Sequence, residues 1–278
     1  VRLARAALHF WEEPPISGES GSGTVFFSGC PLRCVYCQNK DIARGEIGRA
    51  VSVERLARIF LEQQERGALN INLVTPTHFA SQIKAALDLA RSEGFSNRPL
   101  ALPIVYNTSG YELPEAIEAL EGYVDVFLTD FKYASSELAQ RYSAAPDYPR
   151  IASCALDAIF ELVGPLRYDE NERGEERLVR GVVVRHLLLP GHLEDSKRVM
   201  ELLAAKPYRD DMIVSIMNQF TPSEELVRDF PELASHVSED EYDELIDYAL
   251  DLGIVHSFMQ EGDAADESFI PAFDYEGV

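Results

Sequence analysis

Short apolar runs rich in Val, Ile and Phe alternate along this chain with amphipathic stretches, the pattern of repeated βα units around a parallel sheet. The runs cover residues 24–28, 70–74, 103–107, 124–129, 181–189 and 212–217, and predict six strands. Between them, "SVERLARIFLEQQERG" starts at a capping Ser52 and puts Leu56, Ile59 and Phe60 on one face. "HFASQIKAALDLARSEG" repeats the pattern with Ile83, Leu87 and Ala90 before Gly94, and "LPEAIEALEG" has Pro114 in its first turn and Gly122 past its end. A further helix is expected over 150–163, where the lone Cys154 should pack as a small buried hydrophobe. "SEDEYDELIDYALDLG" closes the series with Ser238 and Glu241 in capping-box spacing, and "YDENERGEERLVRG" reads as a polar surface hairpin.

Six strands are too few for a closed eight-stranded barrel, so the expected fold is α/β, a partial (β/α)6 TIM-like barrel with helices outside and one open side. In such folds the loops after the strands converge on one rim, where the chemistry sits. No Pro/Ser-rich linker divides the 278 residues. We expect one domain over 1–278, with 1–22 as an N-terminal extension and 221–278 as an acidic helical segment packed on the barrel.

Charge and hydropathy narrow the partners. No apolar run approaches the roughly 20 residues that span a bilayer, and "GVVVRHLLLPG" is interrupted by Arg185 and His186. The start carries no apolar secretory stretch, so a cytoplasmic protein is the expectation. Formal net charge is −22, and residues 221–278 hold 17 acidic side chains against one basic, Arg228. Such a surface repels phosphate backbones and anionic lipids, which argues against nucleic acid and membranes as partners.

The chemistry is concentrated in "FSGCPLRCVYCQNKDI", where Cys30, Cys34 and Cys37 form C-x3-C-x2-C directly after the first predicted strand. A disulfide would use two thiols and strand the third, and a structural zinc site needs four ligands where no second Cys knuckle exists. Zinc held with a nearby histidine stays open as a competing occupant. Iron–sulfur clusters normally take four cysteines, so a cube held by three leaves one iron free to bind a substrate or cofactor.

With Tyr36 as the aromatic before the third cysteine, this loop resembles that of the radical S-adenosylmethionine superfamily. "CQNKD" is similar to the stretch following the third cysteine in activating enzymes of glycyl-radical enzymes such as pyruvate formate-lyase. "EEPPISG", "GSGTVFFSGC", "NINLVTPTHF" and "FIPAFD" resemble an uncharacterised branch related to those activases, over essentially the whole chain. The resemblance implies a [4Fe–4S] cluster on Cys30, Cys34 and Cys37, bound S-adenosylmethionine, and a further cysteine-containing segment that can precede Val1. It implies cofactor contacts from Tyr36 and Gln38 on the cysteine loop.

The remaining contacts are carried over strand by strand. Where activases have Gly-Gly-Glu, this chain reads Val74-Thr75-Pro76-Thr77, so a carboxylate is missing, and Thr75 with backbone carbonyls is left to accept from an ammonium. Thr77 is equally readable as a helix N-cap, and His78 as packing or as an acid/base. Asn107 and Ser109 stand in the place of Asp-Thr-Asn-Gly, and Asp130 and Lys132 in that of Leu-Asp-Leu-Lys; Asn107 for Asp puts a neighbouring monovalent-cation site in doubt. Asp130 and Lys132 also share one face of an extended segment, suited to a zwitterionic amino acid.

Arg185, in a run otherwise buried, requires an anionic or carbonyl partner and matches the activase arginine turned toward the cofactor, with Leu187 flanking the adenine and His186 facing away. Gln219 stands where activases have a histidine near the ribose. No second C-x2-C pair appears, so the low-potential electron must come from an outside flavodoxin or ferredoxin. The expected function is reductive cleavage of S-adenosylmethionine, with a glycyl-radical enzyme as the possible partner. The competing readings are modification of a small molecule or peptide, and a non-catalytic metal or iron–sulfur protein.

Overall fold

The computed structural model describes residues 1–259 and 271–278. Its strands are β1 (Arg2–His9), β2 (Ser22–Phe27), β3 (Arg49–Ala50), β4 (Ile71–Val74), β5 (Ile104–Thr108), β6 (Val126–Asp130), β7 (Arg167–Glu170), β8 (Glu176–Leu187), β9 (Ile213–Met217) and β10 (Ser257–Met259). They join one sheet in the order β10-β9-β8-β6-β5-β4-β2-β1-β3, with β7 paired to β8. The run from β2 to β10 is parallel, and β1, β3 and β7 are antiparallel additions. Among the described residues the outer strands β10 and β3 do not pair, so the sheet is an open, partial barrel as expected.

Alternation along the strands sorts side chains to two faces. Phe127, Val182 and Val184 join the large core beneath the surrounding helices, whose members include Leu56, Phe60, Ile83 and Leu87. Val126, Leu128 and Val183 point the other way, into a second core with Val105, Ile213, Leu178 and Ile16. Six of the observed strands correspond to the six apolar runs. β1 and β3 follow no apolar run, and β7 with the start of β8 forms the hairpin expected from "YDENERGEERLVRG".

The helices begin and end for local reasons. Ser52 Oγ accepts from the Arg55 N–H at the start of Val53–Glu65, and Ser238 with Glu241 completes a capping box on Glu239–Asp251. The helix expected from residue 150 starts earlier, as Tyr148–Val163, with Pro149 in its first turn. Its Cys154 is exposed, not buried as expected, because the apolar face of this helix is carried by Ala152, Ala155, Leu156 and Ile159. Thr77 does not cap the helix Ala80–Ala90; it opens a 3-10 turn and donates its hydroxyl to Glu112 (2.5 Å).

Residues 1–22 run as β1 and then turn into the barrel. The short helix Pro14–Ser17 places Ile16, fully buried, into the inner core, a burial worth about 1.5–3 kcal/mol. Two asparagines on the same side of the β4 segment hold this plug: Asn70 donates to the Ile16 carbonyl (2.6 Å) and Asn72 to Glu12 (2.8 Å). Above it, Arg185 of β8 is ion-paired with both Glu12 and Glu13, donating from Nε to Glu13 at 2.8 Å. At the other end of the chain, Arg5 of β1 pairs with Asp274 (2.9 Å), and the Ala6 N–H donates to the Glu276 carbonyl (2.8 Å). The acidic segment after residue 220 contributes Glu224–Asp229 and Glu239–Asp251, the latter burying Leu245 and Ala249. Residues 260–270, which include the start of "FIPAFD", lie outside the described residues.

Burial by itself raises the Glu13 carboxyl, but the Arg185 guanidinium outweighs it and the net shift is downward. The stabilisation from this pair is therefore complete above the usual carboxylate range and is lost as pH falls through the depressed Glu13 value. Arg185→Met, which strands two buried carboxylates, is expected to cost about 3–5 kcal/mol in urea unfolding at pH 7. The difference from wild type should shrink at pH 4; an equal loss at both pH values would contradict the pairing.

Candidate active site

A cavity of about 410 Å3 opens at the C-terminal ends of the parallel strands, within the size range of small-molecule sites. Every residue singled out from the sequence as a metal or cofactor ligand lines it. The tertiary structure thus gathers positions from Cys30 to Gln219 around one space; the lining alone does not assign their roles.

The cysteine loop leaves β2 through Gly29, whose φ of +105° is in the region that favours glycine. A Cβ there would sit 2.9 Å from Nε2 of His78, which is bonded to the Ser28 carbonyl (2.9 Å), so this histidine props the turn into the loop. Each of the three sulfurs has a hydrogen-bond donor: the Leu32 N–H for Cys30, the Asn39 N–H for Cys37, and the Ser143 hydroxyl for Cys34 (3.0 Å). Burial pushes the Cys30 thiol up and that of Cys37 up to about 12, with neighbouring Cys34 adding to both and the Lys132 ammonium opposing. Buried thiols of this kind lose their protons when a metal centre takes them as ligands. Among the described residues no group of three or more His, Cys, Asp or Glu side chains is placed to hold a single metal ion. Three donor-supplied sulfurs on one loop do fit a cluster, whose sulfurs carry negative charge and are tuned by such bonds.

Beyond β4 the chain turns sharply at Thr75, a β-branched residue at φ +53°, where only a fixed surrounding keeps it. Two bonds do so: the Thr75 N–H donates to the Asn107 carbonyl (3.0 Å) and its hydroxyl to the Phe27 carbonyl (3.1 Å). The hydroxyl keeps acceptor capacity toward the cavity. Glu112, a buried carboxyl, accepts from Thr77 and from Thr108 (2.6 Å), and burial raises it above the usual range. Beyond β5, Ser109 leads to Gly110 at φ +74°, where a Cβ would collide with the Asp130 carbonyl at 2.2 Å. That close approach seats the Asn107–Ser109 loop on the end of β6. There Lys132 Nζ donates to Asp130 at 2.6 Å; burial works against its charge, but Asp130 outweighs this and holds the ammonium protonated. The pair is largely buried in the cavity wall, not an exposed surface pair.

Arg185 lies beside Asp130 in the β6/β8 register and beside Ser215 in the β8/β9 register. It reaches the cavity, yet its guanidinium is engaged by Glu12 and Glu13, which the sequence reading did not single out. A signal for them existed: a buried strand arginine required carboxylates, and an adjacent acidic pair preceded two prolines. Leu187 and Gln219 line the far wall, where the Gln219 carbonyl accepts from the Gln38 amide (3.0 Å) and so ties the cysteine loop to the end of β9. His186 points outward, buried, between the Phe131 carbonyl (2.7 Å) and Ser196 (2.8 Å). The lining holds three carboxylates, Glu12, Glu13 and Asp130, against the two cations Lys132 and Arg185. The space therefore suits a ligand of net positive charge, which a sulfonium-bearing amino acid has.

Comparison with known proteins bears on the fold. The chain is 27% identical over 253 residues to an uncharacterised protein of Methanocaldococcus jannaschii, covering 87% of this chain and 65% of that relative, so it spans about two thirds of the relative's length. A solved spore photoproduct lyase, in a cysteine-to-serine mutant form, shares its fold at a TM-score of 0.54 and 11% identity, covering 92% of this chain and 80% of the lyase. The [FeFe]-hydrogenase maturase HydG does so at 0.50 and 13%, covering 83% of this chain and 48% of the maturase. Residues 24–158, which carry the cysteine loop and the ends of β4, β5 and β6, match the family model of the radical SAM superfamily.

Proposed function

We propose that the chain is a radical S-adenosylmethionine enzyme formed as one catalytic domain, with Cys30, Cys34 and Cys37 holding a [4Fe–4S] cluster. The observation that carries this reading is the loop itself: three thiols at the rim of one cavity, each with its own hydrogen-bond donor, facing the Asp130–Lys132 pair. A cluster held by Cys30, Cys34 and Cys37 would supply the one-electron reduction of S-adenosylmethionine to methionine and a radical able to take a hydrogen atom from substrate. The chain supplies orientation, dryness and electrostatics.

Asp130 and Lys132 offer opposite charges to the amino acid portion, while Thr75, Asn107 and Ser109 offer hydrogen bonds beside them. Tyr36 and Gln38 from the cysteine loop, with Leu187 and Gln219 from the far wall, bound the nucleoside portion. Arg185 acts through Glu12 and Glu13, ion-paired with both and holding the Glu13 carboxyl below the usual carboxylate range. Buried apolar walls from Phe26, Leu32 and Val74 exclude water.

The reductant is external, a flavodoxin or ferredoxin. Activation of a glycyl-radical enzyme is supported by the "CQNKD" and "TDFK" resemblances. Anaerobic reconstitution is expected to give a brown protein with about four iron and four sulfide per chain. Dithionite and S-adenosylmethionine should then release 5′-deoxyadenosine, and Cys34→Ala should abolish both; a colourless, zinc-loaded protein would sink the reading. Asp130→Asn is expected to weaken S-adenosylmethionine binding by about tenfold, ~1.4 kcal/mol, in calorimetric titration with the cluster intact. Unchanged affinity would remove Asp130 from the site.

A further inference from the structure

Two of the three cysteine sulfurs take their donors from the loop's own backbone, two residues further on: Leu32 for Cys30 and Asn39 for Cys37. Cys34 differs. Its donor is the hydroxyl of Ser143, from the far end of the helix Ser136–Ser143 and 109 positions away in sequence. Ser143 is bonded to the Tyr133 hydroxyl (2.7 Å), and Tyr133 to the hydroxyl of Tyr36 (2.6 Å), which lines the cavity. Ser143 and Tyr133, the middle of this chain, are both 1% exposed.

The direction of this chain follows from the acceptor at its end. A ligating cysteine is a thiolate and has no proton to give, so Ser143 must donate to Cys34. Its oxygen then accepts from Tyr133, whose oxygen in turn accepts from Tyr36. All three protons point toward the sulfur.

From this geometry we infer that Ser143, backed by Tyr133 and Tyr36, is a positioning residue that sets the reduction potential of the cluster; the inference rests on the function proposed above. Reduction adds one negative charge, shared by the thiolate sulfurs, and a donor aimed at one of them stabilises the reduced form. Each hydroxyl polarises the next, so the relay is stronger than its last bond alone. The neighbouring backbone keeps Ser143 in place: the Arg33 and Val35 N–H groups of the cysteine loop donate to the Ser143 and Tyr142 carbonyls.

The test is a redox titration of the cluster-loaded protein, followed by the electron paramagnetic resonance signal of the reduced cluster, without S-adenosylmethionine. Ser143→Ala is expected to shift the reduction equilibrium by about tenfold toward the oxidised form, a change of about 59 mV to more negative potential for one electron. Tyr36→Phe, which removes only the outermost hydroxyl, should move it the same way by less. An unchanged potential in Ser143→Ala with a full iron and sulfide complement overturns the inference. Should Ser143→Ala lose the cluster, Tyr36→Phe decides: a negative shift supports the relay and no shift overturns it. A wild-type chain that takes up no iron and sulfide would instead overturn the proposed function, and this inference with it.

Discussion

A guanidinium placed in a buried strand must find carboxylates, and the pairing of Arg185 with Glu12 and Glu13 organises much of this molecule. It draws the chain segment after β1 inside the barrel, where Ile16 completes the inner core and Asn70 and Asn72 hold the backbone and Glu12. The open sheet is thereby closed from below. A cavity remains above, at the strand ends, with charged groups in its floor and apolar walls. Without the plug the same strands would enclose a channel lined by a lone arginine, an arrangement that burial penalises heavily.

The rim above this floor is built by close approaches of backbone. Gly110 lies against the Asp130 carbonyl, Thr75 is fixed in a strained turn by Phe27 and Asn107, and Gly29 lies under His78. Each contact ties the end of one strand to its neighbour. The Asp130–Lys132 pair and the three thiols therefore sit on a rigid frame, which is what orientation of a reactive cofactor demands. Cys30 and Cys37 are also electrostatically linked to that frame, since Lys132 lowers and burial raises their tendency to keep protons.

Two kinds of support surround the cysteines. Cys30 and Cys37 are served by amides of the loop itself, so their environment travels with the motif. Cys34 is served by a hydroxyl chain that reaches across to the helix following β6. The first kind belongs to the loop's local conformation and the second to this fold. The match to the radical SAM family model takes in the motif, and the particular chain of Ser143, Tyr133 and Tyr36 is a property of these residues in this packing.

Periodicity by itself determined the βα repeat, the six principal strands, the capped helices and the open barrel, because alternation and helical spacing are written in neighbouring positions. The cysteine loop was legible for the same reason: its three ligands lie within eight residues. Only the tertiary structure decided what met what. It turned Glu12 and Glu13 from a polar preface into the partners of Arg185, moved Thr77 from a cap to a donor for Glu112, and put Cys154 on an outward helical face. It also brought Ser143 to Cys34. These contacts join residues distant in sequence, and which side chain satisfies a buried polar group depends on the packed backbone, so no local pattern encodes the choice.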